Sequence, residues 1–346
     1  MSDLDADKHN FGQLVRPMER ASLLFFRKPR PVYWEHLFFG KGSPLEPIFS
    51  KIGENRKVDL ASLLFNLEID MENEWLGYSK EILRSDDPAT GQHFYSFGVL
   101  LAYAYLFCIR DLHKFNLIKT KTHLQVIDAE VVLTNLILPN ESVLLPFKDV
   151  PFEVCGLNLL TDSLDDLTPS QRQSMFAGYF DLFALAFCRQ KLLLEALDNA
   201  ASIAPIRVII RNTKVYTGHL NGNSRIPDLL SEEQIQIERG DVPYFFKRIG
   251  DQQLHWISSA SGSTSSVQST ESFKVDVDRH AQTPSVLIGS PDTIEKKMAQ
   301  GALFLQRKFG SSDSCEFSWN GKKLLLEPSE LKNEFTGSYF SSRKKS

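Results

Sequence analysis

The run FYSFGVLLAYAYLFCI, from Phe94 to Ile109, is the longest apolar stretch in the chain, and it settles what stands at the centre of the fold. It is short of the roughly 20 apolar residues a membrane span needs, and Ser96 and its tyrosines interrupt it. A segment that is apolar nearly all round reads as a helix buried on every side. The rest of the composition suits such a core: of 346 residues, 42% are hydrophobic and 25 are Phe, enough for one large domain or two to three smaller ones. Collagen, a coiled coil and whole-chain disorder are excluded. A net charge of -4 gives no general footprint for nucleic acid. The four cysteines (Cys108, Cys155, Cys188, Cys315) are scattered without a CxxC, so neither a disulfide framework nor a structural zinc site is expected. The acidic start carries no secretory signal, and the expected location is the cytoplasm.

Along the chain, Pro29 and Pro31 predict that a strand ends near Lys28. Residues 32–51 read as helical pieces broken at Gly40–Pro44, and 58–68 as helical. Past the long helix, LIKTKTHLQVIDAEVVL predicts two short strands around a turn at 119–122. Residues 169–199 read as a long helical stretch, IRVIIR after Pro205 as a strand, 229–240 as a helix and 292–309 as a last amphipathic helix. Ser and Thr dominate 258–272, expected to be a flexible loop. Helices mixed with short hairpins favour an α+β class over a doubly wound sheet.

The chemistry concentrates in Asp111-x-x-x-x-Asn116, followed by Asp128 in VIDAE. Phosphoryl transfer needs a carboxylate to accept the attacking hydroxyl's proton, oxygen ligands for Mg²⁺ on the ATP phosphates, and a cation to neutralise them. Asp111 and Asn116 supply the first needs from one loop, Asp128 completes the metal set at a strand end, and Lys28 is the candidate phosphate clamp. His113, inside the same loop, reads as a loop-ordering side chain. No P-loop, dinucleotide, HExxH or GxSxG pattern is present. In an alternating strand Arg207, Ile209 and Arg211 would share one face. Two arginines there would serve either structural salt bridges or an oxyanion grip.

These residues resemble the dehydratase domain of class II lanthipeptide synthetases. The resemblance rests on Asp7–Gly12 (DKHNFG), Arg27–Arg30 (RKPR), Phe94-Tyr95, Asp111-Leu112-His113 with Asn116, and Ile127–Glu130 (IDAE). Ser142–Leu144, Arg207–Tyr216, Pro227–Leu230 and Gly240–Phe245 (GDVPYF) continue it in order over about residues 5–310. It implies a two-lobed fold similar to lipid and protein kinases, with an added elimination-site subdomain. A small-lobe remnant would span about 1–90, a catalytic lobe 91–310, and a tail 311–346. It also implies ATP- and Mg²⁺-dependent phosphorylation of Ser or Thr in a precursor peptide, then loss of phosphate to a dehydroamino acid. Matched position by position, Lys28 corresponds to the phosphate-binding lysine, and Asp111, His113 and Asn116 to the catalytic loop. Asp128 and Glu130 correspond to the metal-binding strand end. Arg207 and Thr213 match residues needed for elimination, with Asp7 and His9 a second pair near the same site.

Three departures accompany the match. The family has a long helical region upstream of the lysine, and a zinc-binding cyclase downstream. This chain carries neither, so ring closure is not expected and a separate protein is the expected partner for the missing parts, besides the precursor peptide. The family's His-Pro-Asp is here Ile226-Pro227-Asp228. The competing expectations are a stand-alone Ser/Thr kinase that does not eliminate, and an inactive remnant that binds a peptide or a synthetase.

Overall fold

The computed structural model describes residues 8–50, 59–147, 150–200, 204–267 and 277–309, and the backbone of 315–319 and 322–326. Its architecture is α+β. An N-terminal sheet has the antiparallel order β1-β2-β4-β3, from β1 (Arg16–Arg20), β2 (Leu23–Lys28), β3 (Ile69–Asn73) and β4 (Leu76–Lys80). Strand β2 stops at Lys28, as the two prolines dictate, because neither can donate to a ladder. Between β2 and β3 lie three short helices, α1 (Tyr33–Phe39), α2 (Glu46–Phe49) and α3 (Ala61–Leu64). Of the helical stretch expected over 58–68, Ala61–Leu64 alone is helical among the described residues, and 51–58 lies outside them.

The long apolar run is helix α4 (Gly91–Leu106), buried on nearly every side. Phe38, Phe49 and Phe107 surround its Tyr103, whose ring lies 4.8 Å from that of Phe107. Edge-on ring contacts of this kind add to plain area burial. Two hairpin strands follow, β5 (Leu117–Lys119) and β6 (Leu124–Val126), around the expected turn. The stretch 169–199 forms two helices, α5 (Pro169–Cys188) and α6 (Gln190–Ala200), opened by the Thr168 cap on the Gln171 amide. No helix among the described residues is long and apolar enough to cross a membrane.

A second antiparallel sheet has the order β10-β9-β8-β7, from β7 (Ile206–Val208), β8 (Phe245–Lys247), β9 (His255–Ile257) and β10 (Thr264–Ser266). Helices α7 (Thr213–Leu220) and α8 (Ser231–Glu238) lie between its first two strands. Over 258–267, the stretch expected as a flexible loop is the turn and second strand of the β9–β10 hairpin; 268–272 lies outside the described residues. Helices α9 (Pro284–Ile288) and α10 (Pro291–Phe309) follow, and α10 packs on α5, with the Tyr179 hydroxyl donating to Met298 O at 3.2 Å. Within the expected tail, β11 (Cys315–Trp319) and β12 (Lys322–Leu326) pair as a hairpin.

Candidate active site

The end of β2 and the first turn of α1 build one wall of the site. Lys28 Nζ donates to Glu35 Oε2 at 2.7 Å and to Ile127 O at 2.5 Å, and both side chains are buried. Glu35 stands in an otherwise aromatic helix, where an ionised carboxylate survives only beside cations. It has two: Arg30 Nη2 lies 2.5 Å from its other oxygen. Arg30 also reaches Asp128 Oδ1 at 3.0 Å and Glu130 Oε1 at 3.2 Å.

The loop after α4 forms the floor. Asp111 adopts a left-handed conformation, φ 64°, which turns the chain sharply between two backbone anchors. These are Arg110 N to Val131 O and Leu112 N to Ser142 O, both 2.8 Å. Asn116 Nδ2 donates to Asp111 O at 2.7 Å and closes the loop. His113 Nε2 lies 3.7 Å from Asp111 Oδ1, beyond hydrogen-bond reach. The Asn116 carbonyl accepts from Ile127 N, so this loop and the strand end carrying Asp128 adjoin.

The second sheet supplies the opposite wall. Arg207 Nη1 reaches Glu130 Oε1 at 2.9 Å, and the Tyr244 hydroxyl donates to Glu130 Oε2 at 2.9 Å. The Arg207 guanidinium also lies 5.2 Å from the Tyr244 ring centre. His9 enters from the N-terminal segment, its ring 5.7 Å from Tyr244 and its Nδ1 hydrogen-bonded to Val242 O at 2.8 Å. Thr213, first residue of α7, lines a small pocket with Arg207, Arg211 and Tyr216.

The alternating strand expected through Arg211 does not form. Strand β7 ends at Val208 and the chain turns away, so Arg207 and Arg211 serve different partners. Arg211 pairs with the fully buried Glu233 at 2.9 Å and donates to Asp228 O. Ile226 is buried in an apolar cluster with Tyr216 and Val242. Asp7 lies outside the described residues.

Electrostatics separates the carboxylates. Desolvation raises the Asp111 pKa, and the charges of Asp128 and Glu130 add to it against the opposing pull of His113 and Arg207. Burial acts on Asp128 in the same direction, but Arg30, Lys28 and Arg207 together outweigh it and hold that carboxyl below its usual range. Burial, then the Arg207 charge, pushes His9 down to about 3, so its imidazole is neutral at physiological pH.

Whether the donors suit Mg²⁺ can be judged oxygen by oxygen. Among the described residues Asp128 keeps one oxygen clear of hydrogen bonds and is partly exposed, and Asn116 has its carbonyl oxygen left after donating through its amide. Glu130 has Oε1 on Arg30 and Arg207 and Oε2 on Tyr244, and is nearly buried. By this count the oxygens left for a cation belong to Asp128 and Asn116 and not to Glu130, and Mg²⁺ commonly takes one or two such protein ligands with phosphate oxygens and water completing its shell. No group of three or more His, Cys, Asp or Glu side chains placed for a metal occurs among the described residues.

Three members of the cluster escaped the sequence reading: Arg30, Glu35 and Tyr244. For the first two a signal existed, a lone acid inside YWEHLFF just after a basic RKPR. No protein-family model matches the chain, and no curated protein matches it.

Proposed function

We propose that this protein is a kinase-like peptide dehydratase, which phosphorylates Ser or Thr of a precursor peptide from ATP and then eliminates the phosphate. The observation that carries the reading is the continuous chain of charge from Lys28–Glu35 through Arg30, Asp128 and Glu130 to Arg207. A strand lysine paired with a helix glutamate, beside a loop Asp-x4-Asn and a strand-end Asp, is the working set of protein kinases. Arg207 and His9 add a further cation and an imidazole next to that set, groups that phosphate elimination would use.

In the first step the substrate hydroxyl oxygen attacks the γ-phosphorus, the bond from that phosphorus to the bridging oxygen of ADP breaks, and the hydroxyl proton passes to Asp111. A carboxyl with a raised pKa suits that task. Mg²⁺, when bound at Asp128 and Asn116, supplies screening of the phosphate charge. In the second step the α-proton is removed and its electron pair forms the Cα–Cβ double bond. The Cβ–O bond then breaks and phosphate leaves with the bonding pair. Arg207 stabilises the departing phosphate, whose negative charge opposes the lowering of His9 by Arg207, and the neutral Nε2 of His9 takes the α-proton.

The test is intact mass of a Ser/Thr-containing precursor peptide incubated with the protein, ATP and Mg²⁺. Loss of about 18 Da per modified residue, one water, is the expected result. A stable gain of about 80 Da would make the protein a kinase without elimination. An unchanged peptide, with any upstream partner supplied, would overturn catalysis altogether.

A further inference from the structure

His9 reaches the site on an unusual backbone. Asn10, Phe11 and Gly12 adopt φ of 47°, 70° and 75°, three left-handed residues in succession. Left-handed geometry costs roughly 1–2 kcal/mol per non-glycine residue, and a bulky side chain such as Phe rarely accepts it. Such a turn persists only where its surroundings over-determine it.

Asp241 provides that determination. Its carboxylate, fully buried, accepts from Phe11 N at 2.8 Å and from Gly12 N at 2.7 Å, one amide on each oxygen. Successive amides turned toward one anion form a nest, and the left-handed backbone is what aims both at the same carboxylate. Arg239 holds Asp241 in turn, Nε to Oδ2 at 2.6 Å, and its guanidinium lies 4.0 Å from the Phe11 ring centre. The neighbouring backbone completes the latch: Val242 N donates to Lys8 O at 2.7 Å, and His9 and Gln13 exchange two backbone hydrogen bonds. With Nδ1 donating to Val242 O, the His9 ring is fixed in rotation and keeps its lone pair on Nε2.

We propose that Asp241 and Arg239 are positioning residues, a clamp that holds the Asn10–Gly12 turn so that the His9 imidazole stands beside Arg207 and Tyr244 for the elimination step. The identity of that step rests on the dehydratase reading; the clamp itself does not. A mere tether for the start of the chain would not call for three left-handed residues or a buried carboxylate, since ordinary extended backbone would reach β1 at less strain.

The experiment uses the full chain and a synthetic phosphoseryl peptide, which bypasses phosphorylation, with elimination read as loss of about 98 Da, one phosphoric acid. Asp241→Ala is expected to slow elimination by about tenfold or more, and Asp241→Asn, which keeps one acceptor oxygen, by less. His9→Ala combined with Asp241→Ala should be no slower than His9→Ala alone, because the clamp acts through the imidazole. Backbone amide exchange over residues 8–14 should rise in Asp241→Ala and stay unchanged over 124–131. If Asp241→Ala does not fold, Arg239→Lys, which loses the planar contact with Phe11, carries the same comparison. Fully additive losses, or exchange over 8–14 that does not change, would overturn the clamp. Absence of elimination by the wild type would instead overturn the dehydratase reading, and faster exchange over 8–14 would still uphold the clamp.

Discussion

His9 shows how much a single residue's chemistry depends on neighbours that lie far off in sequence. Read in the sequence, a histidine near the start is an acid or a base near neutral pH. Its folded surroundings remove the first option: burial, Arg207 and Arg30 lower its pKa to about 3, against the weaker pull of Asp241 and the Val242 carbonyl. Below the ordinary value of about 6.5 the unfolded chain binds a proton that the folded one refuses. This contribution is therefore neutral above that pH and destabilises the fold by about 1.4 kcal/mol for each unit of pH lost toward 3. Urea unfolding at pH 7.5 and 5.0 should show His9→Gln losing about 2 kcal/mol less than wild type over that interval. Asp128, whose pKa is depressed, loses its contribution only in a more acidic window, below about pH 4, and does not confuse the comparison. Glu35 makes the complementary point. Its neighbours Lys28 and Arg30 lie close by in sequence, so the pairing was open to inference from a lone acid among aromatics. Tyr244 was not, because nothing near it in the chain indicates that its hydroxyl meets Glu130.

At the scale of elements, periodicity and punctuation locate structure where they are strong. Helix α4, the end of β2 and the β5–β6 turn lie where the apolar run, the prolines and the β-branched pieces put them. Strands β3 and β4 went unrecognised because IDMEN and LGYSK hold few apolar residues, and the Glu74-Trp75 link between them has no glycine or proline. Also hidden was how α4 meets α5. Gly98 lies where a Cβ would come within 1.9 Å of Met175 O, and Gly178 where one would come within 2.1 Å of Tyr95 O. Each helix thus presents a glycine to the other's backbone, and a glycine inside an apolar run discloses neither its partner nor the closeness of the crossing. Because the obstruction is backbone, no rotamer change can relieve it. Gly98→Ala should force the helices apart and lower the unfolding free energy by about 1–3 kcal/mol, measured by denaturant titration. An alanine at Gly91, where the nearest atom to a new Cβ is 3.7 Å away, should change stability far less.

The whole molecule brings together three parts of the chain that the sequence keeps apart: the β2–α1 corner, the loop and strand end from Asp111 to Glu130, and the second sheet with Arg207 and Tyr244. The α+β class follows from the order of elements, but the convergence depends on tertiary packing between segments far apart in the chain, which no local pattern encodes. Glu130 is the junction, bonded to one cation from each side and to a tyrosine. Asp128, two residues earlier, is ion-paired with Arg30 alone among the described residues and is partly exposed. The two acids should therefore respond in opposite ways to substitution. Glu130→Gln leaves Arg30 and Arg207 with less compensation in a buried place, and breaking such a pairing costs about 3–5 kcal/mol, so this variant should melt well below wild type. Asp128→Asn removes a partly exposed charge and should melt closer to wild type. Addition of Mg²⁺ and ATP at a hundredfold the dissociation constant stabilises a binding-competent fold by about 2.7 kcal/mol. Measured against its own unliganded melting temperature, Glu130→Gln should keep that stabilisation, since its carboxylate oxygens are already committed within the protein. Asp128→Asn should lose it, because the oxygen left clear for the cation is gone. If Glu130→Gln loses the response and Asp128→Asn keeps it, the metal-holding role passes from Asp128 to Glu130.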